Sequence, residues 1–210
     1  MRNRMSKQNK EKILKSFFKL LEEKPYSEIT IVDISIDASV SRKTFYRLFK
    51  NKENLLNTYI DQLLNDWVTY ANKKNPQNYE DLITLLFEFW KRYVPQLTIL
   101  VNANLSSVIL NKFNSIFPQY FMDFHNQHPS ISYQGNEYDS IQMKYIALLS
   151  VGSLWNAFST WLINPTEISL SNLAALAKNN FLYTKHSKLN SELTIWRDSW
   201  FTIFCSSRRI

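Results

Sequence analysis

Glycine is almost missing from this sequence: two residues in 210, beside six prolines and one cysteine. Sheet-rich folds turn often, and turns lean on glycine and proline, so the scarcity favours long helices. The single cysteine, Cys205, excludes an intramolecular disulfide and any multi-cysteine zinc or iron–sulfur centre. There is no glycine-rich phosphate loop, and Cys205 has no activating base near it in sequence. The histidines are only His125, His128 and His186. Asp123, His125 and His128 in DFHNQH come nearest to a metal set, but they fall where a helix is expected to end, a common place for histidine as a dipole partner. No catalytic set, metal or cofactor is expected. No run approaches about 18 uncharged apolar residues, so no membrane-spanning helix is expected. The basic start, MRNRMSKQNK, lacks the apolar block of a signal sequence. A cytoplasmic protein with no membrane partner is the expectation.

What is present is core-forming material. Hydrophobic residues make up 45% and aromatics 15% of the chain, enough to bury a sizeable interior. The net charge of +7 is placed unevenly. Residues 1–60 hold 13 Lys/Arg against 7 Asp/Glu, while the remaining 150 are nearly balanced. Positive charge so concentrated attracts phosphate backbones or anionic surfaces.

The patterning is helical throughout. Ile13, Leu14, Phe17, Phe18 and Leu21 recur at three- and four-residue spacings, predicting an amphipathic helix over 10–23 that Pro25 ends. Thr30 and Asp33 have capping-box spacing before a short helix over 31–37. ASVS connects it to a second short helix, capped by Ser41 and reaching Phe49. Asn51 caps a longer helix over 52–71, and the polar KKNPQN (73–78) is the clearest linker. Further helices are expected over 79–94, 96–115, a short piece ending near Pro129, 138–163, and from Ser169 or Ser171 onward. Residues 130–136 read as a loop, and the last 25 residues have no assigned form.

Three helices, with a four-residue connection between the second and third, make helix-turn-helix geometry. Periodicity turns Phe45, Leu48 and Phe49 inward and leaves Arg42, Lys43, Thr44, Tyr46 and Arg47 on the outer and flanking faces. Arg42 and Lys43 lie in the first turn, the part of such a helix that reaches base edges, and both can donate to guanine O6 and N7.

TIVDISIDASVSRKTFYRLFKNKENLL, residues 30–56, resembles the DNA-binding segment of TetR-type transcriptional regulators. The resemblance is carried without a gap by Thr30, Ile34, Ala38, Val40, Ser41, Thr44, Phe45, Tyr46, Phe49, Lys52, Leu55 and Leu56. The chain departs from the pattern at Ser35 for alanine, Ser39 for the turn glycine and Leu48 for histidine or tyrosine. The resemblance implies an all-α protein: a helix-turn-helix head over 1–54 and a larger ligand-binding and dimerisation body over 55–210. It implies that Thr30, Tyr46 and Lys52 hold phosphates and that Arg42, Lys43 and Thr44 face the groove of a double-stranded operator. Ser41 and Arg47 complete the candidate set. Thr30 and Ser41 serve equally as plain helix caps.

The resemblance also implies a homodimer paired through the last two helices and a pocket for a small-molecule effector. Gly152, Trp155, Phe158, Trp161, Leu173 and Leu176 are the dimer candidates. Trp67, Trp90, Tyr93, Phe121, Phe124 and Tyr145 are the pocket candidates, with ordinary core packing as the alternative for each aromatic. The function implied is a repressor of this type. The departures at Ser39 and Leu48 keep a second reading open, a coactivator or adaptor that works through protein partners without binding an operator.

Overall fold

The computed structural model describes residues 2–128 and 138–182. The loop expected at 130–136, His186 and the last 25 residues with Cys205 lie outside that range. Nine α-helices and no strand occur among the described residues: α1 (Arg2–Glu23), α2 (Ile31–Asp37), α3 (Arg42–Leu48), α4 (Lys52–Lys74), α5 (Tyr79–Arg92), α6 (Val94–Asn102), α7 (Ser106–Gln127), α8 (Ser140–Ile163) and α9 (Leu170–Leu182). A short 3-10 turn, Tyr26–Glu28, joins α1 to α2.

α1 is longer than its apolar pattern. Ile13, Phe17, Leu20 and Leu21 are buried, while Arg4, Met5, Lys7, Gln8, Lys10, Glu11 and Lys12 are exposed, so the first turns carry no periodic signal. Buried Ser16 donates to the Ile34 carbonyl at 3.1 Å and pins α1 to α2.

The single helix expected over 96–115 is two. It breaks at Asn104, whose φ of 59° lies in the left-handed region. The Asn104 N–H donates to Val101 O (3.0 Å) and the Leu105 N–H to Leu100 O (2.9 Å), the paired bonds of a Schellman ending. Conversely, α7 runs straight past Pro118, where a separate short helix was expected. Pro118 is buried within it, and packing along α8 holds the helix together despite the missing donor.

The body centres on an aromatic cluster shared by α5, α7 and α8. Trp90 stacks on Phe158 (4.5 Å) and Phe113 (6.1 Å), and Trp155 meets Phe113 edge-on at 5.2 Å. Burying such rings contributes about 1.5–3 kcal/mol each. One continuous buried cluster runs from Ile13 in α1 to Leu162 in α8, with Leu97 and Leu100 of α6 within it and α6 packed on α1. α8 corrects the membrane expectation in one respect. By length and composition it is apolar enough to cross a bilayer, although Met143, Ala147, Val151, Leu154, Trp155, Phe158 and Leu162 are buried in the protein.

Candidate nucleic-acid interface

Local chemistry builds the head. Thr30 and Asp33 form a full capping box at the start of α2. The Asp33 N–H donates to Thr30 Oγ1 (3.1 Å), and the Thr30 N–H and hydroxyl both donate to Asp33 Oδ2 (2.9 and 2.8 Å). Lys24 Nζ reaches the same carboxylate at 2.7 Å. The Lys24 hydrogen bond, with those from Thr30, holds the Asp33 carboxyl down at about 2.

α2 ends as α6 does. Ser39 sits at φ 53°, its N–H donating to Ile36 O (3.0 Å), and the Val40 N–H donates to Ser35 O (2.9 Å). The chain therefore makes the glycine-type turn with serine, accepting a left-handed backbone that costs an L-residue roughly 1–2 kcal/mol. Ser41 then caps α3, its Oγ accepting from the Thr44 N–H at 3.1 Å and lying 3.0 Å from the Thr44 hydroxyl.

Phe45 and Phe49 are buried with rings 5.8 Å apart, and Leu48 packs half-buried beside them. Tyr46 sets its ring edge-on to Phe45 yet stays 56% exposed. Arg42, Lys43, Arg47 and Lys50 are exposed, and none makes an ion pair among the described residues. The three carboxylates between Thr30 and Leu56 are engaged elsewhere. Asp33 is held by Lys24 and Thr30, Asp37 pairs with Lys19, and Glu53 accepts from the Tyr26 hydroxyl at 3.3 Å. The hydrogen bond from Lys19 lowers the Asp37 carboxyl and raises Lys19 in return. The face of α3 is thus a positive field without local opposition.

Lys52 does not join that face. Its ammonium donates to the carbonyls of Tyr26 (2.7 Å), Ser27 (3.1 Å) and Ile29 (3.0 Å) and lies 4.6 Å from the centre of the Tyr26 ring. All three N–H donors are taken, so the side chain clamps α4 to the turn before α2 instead of standing free for phosphate. Burial, with Glu53 nearby, pushes the Tyr26 hydroxyl up. The start of α4 keeps free amides beside Asn51, whose Oδ1 accepts from the Asn54 N–H at 2.7 Å.

In the body, an apolar cavity of about 60 Å³ lies between α4, α5, α7 and α8. Trp67 and Phe121 line it, but the other four pocket candidates do not. Trp90 belongs to the aromatic core, Tyr93 faces a groove against α1, and Phe124 packs in a satellite cluster with Tyr79 and Met143. Tyr145 is 62% exposed on the outside of α8. Tyr79, Leu82, Leu86, Phe117, Tyr120 and Leu154 line the cavity without having been singled out. Their helical spacing marks them as inward-facing, but nothing local says that four helices converge there.

Two dimer candidates require correction. Trp155 (1% exposed) and Phe158 (0%) point into the protomer, because their helix face meets α5 and α7. Trp161 is half-buried, its Nε1–H donating to Ile168 O at 2.8 Å. Leu173 is half-buried, Leu176 is exposed, and a Cβ added at Gly152 would meet nothing within 4 Å. The outward apolar residues of α8 are instead Ile141, Tyr145, Leu149 and Ile163. Asp123 accepts from Gln119 (2.8 Å), His125 Nδ1 shares a hydrogen bond with the Tyr79 hydroxyl (2.9 Å), and His128 Nδ1 meets Phe124 O (3.0 Å). These three side chains do not converge, and no metal-competent group of three occurs among the described residues.

Residues 13–59 match the family of bacterial regulatory proteins, tetR family. The chain is 40% identical over 66 residues to the HTH-type transcriptional regulator EthR of Mycobacterium tuberculosis and of Mycobacterium bovis. That match takes in 30% of this chain and 31% of the relative, so it spans about a third of the curated regulators. Among solved structures, the dihydroxyacetone kinase operon activator DhaS shares the fold, with a TM-score of 0.52 at 20% identity over 82% of this chain and 93% of that one. A helix-turn-helix head whose caps, turn and core fall on the matched segment accompanies a helical body of the fold that DhaS shares: residues 13–59 are a DNA-binding head of the tetR family of bacterial regulatory proteins.

Proposed function

We propose that the protein is a homodimeric, sequence-specific DNA-binding regulator of transcription, a repressor whose grip on its operator is set by a small-molecule effector. The observation that carries this reading is the unopposed cationic face of α3, in a segment from Thr30 to Leu56 whose three carboxylates are engaged elsewhere. Arg42, Lys43 and Thr44 read base edges in the major groove, while Tyr46, Arg47 and Thr30 hold phosphates. Ser41 fixes the start of the reading helix. The phosphate contact that the family resemblance gives to Lys52 passes to the free amides of α4, and Lys52 itself keeps the head rigid.

The division we adopt is a DNA-binding head over 1–54 and an effector and dimer body over 55–210. Ile141, Tyr145 and Leu149 recur every four residues on the outside of α8, and Leu176 is exposed on α9; a second copy would cover this apolar surface. Pairing there sets two reading helices about 34 Å apart, one DNA turn. The cavity beside Trp67 is the effector site, and α4 runs from it to the clamp at Lys52. A ligand acts by favouring one spacing of the two heads, and its effect is bounded by that difference in affinity.

Fluorescence anisotropy against genomic fragments at several salt concentrations tests the reading. Sequence-dependent binding that weakens steeply with salt is expected. If none appears, the adaptor reading takes over, for which exposed Ile36 and Val32 of α2 offer an apolar contact surface. Analytical ultracentrifugation of Leu149→Glu tests the dimer, which should dissociate.

A further inference from the structure

The Trp67 ring is 3% exposed, and its indole N–H has neither a hydrogen-bond acceptor nor solvent. Two other tryptophans show what the chain does when it can: Trp155 donates to Ser106 Oγ (3.0 Å) and Trp161 to Ile168 O (2.8 Å). A buried donor left unpaired is destabilising, so an orphan of this kind calls for a partner. Trp67 is held between Phe117 and Tyr120, with ring centres 4.5 and 4.7 Å away, and it forms part of the cavity wall.

The other polar groups of that wall are already used. The Ser150 hydroxyl donates to Ile146 O (2.7 Å), Tyr120 donates to Asn72 Oδ1 (3.1 Å), and Tyr79 shares its hydrogen bond with His125. No charged side chain lines the cavity. An ionised ligand would be stripped of water there with nothing to replace it.

We infer that the cavity takes a small, neutral, largely apolar molecule bearing one hydrogen-bond acceptor, and that this acceptor pairs with the Trp67 Nε1–H. The inference rests on reading the cavity as the effector site. Its free space, about 60 Å³, is less than half of an engineered cavity of roughly 150 Å³ that admits benzene. A ring-sized molecule must therefore spread the walls, and α4 is one of them.

Acetophenone and α-methylstyrene form a matched pair of probes, differing in one C=O exchanged for C=CH₂. In the full-length protein, acetophenone should shift the Trp67 indole N–H resonance downfield, and α-methylstyrene should not. Calorimetric titration of wild type and Trp67→Phe gives the ratio of the two affinities in each. Losing the donor should move that ratio by about tenfold against the ketone, whatever Trp67→Phe does to packing. If both probes bind with no selective resonance shift and no change in ratio, the hydrogen-bond assignment falls and the effector cavity stands. If neither probe binds wild type up to its solubility, the space is core packing and both readings fall.

Discussion

In the head, α2, α3 and α4 each start on a side-chain cap, at Thr30, Ser41 and Asn51, and the turn between α2 and α3 is closed by two backbone bonds. In the body, α5, α8 and α9 also start on side-chain caps, at Asn78, Asp139 and Ser169, but α6 and α7 start with none, and what joins its helices is the interlocking of rings from α5, α7 and α8. The head spends its local interactions on fixing where α3 points. The body spends long-range packing on enclosing space. One arrangement points side chains outward, and the other encloses an apolar cavity.

The sharpest break of that contrast is Trp155→Ala. It removes a fully buried ring and its bond to Ser106, and should cost about 3–5 kcal/mol in a urea titration. Next come the exposed cations. Arg42→Ala or Lys43→Ala should leave the circular dichroism spectrum unchanged and lose about 1–3 kcal/mol of discrimination between operator variants. Tyr46→Phe should instead weaken all sequences alike.

A smaller effect is expected at the cap, where Thr30→Ala should cost about 1 kcal/mol by thermal melting. The same network predicts a pH dependence. Asp33 is held at about 2 in the folded protein, against an ordinary value near 3.8. Between those values the unfolded chain binds more protons, so this contribution is intact above about pH 4 and is lost as pH falls toward 2. Asp33→Asn should flatten that part of the stability profile.

The smallest effect compares one turn in each region. Ser39→Gly should stabilise by up to about 1 kcal/mol, as glycine relieves the left-handed strain but pays in chain entropy. Asn104→Gly should gain less, because asparagine tolerates that conformation better. Equal gains at both sites would mean that Ser39 carries no particular strain.

The head was legible in the sequence because its determinants are local. Thr30 to Asp33 and Ser41 to Thr44 are three residues apart, and Phe45 and Phe49 recur at helical spacing. The body was legible as helices but not as an arrangement. Asn104 hid its break inside an apolar run, and Pro118 suggested a break that long-range packing overrides. Trp155 and Phe158 lie on a helix apolar on most sides, where nothing local tells the inner face from the outer. Lys52 escaped for a related reason: its three acceptors lie 23 to 26 residues upstream, a separation no short motif encodes.

The unbroken interior from Ile13 to Leu162 has a thermodynamic consequence. With α1 leaning on α6 and α4 shared by both parts, the reading head has little cohesion of its own. Heating should therefore give a single calorimetric transition, its van't Hoff and calorimetric enthalpies agreeing. A fragment cut at residue 54 should be a largely unfolded chain, and slow amide exchange in α3 should report the melting of the whole protein.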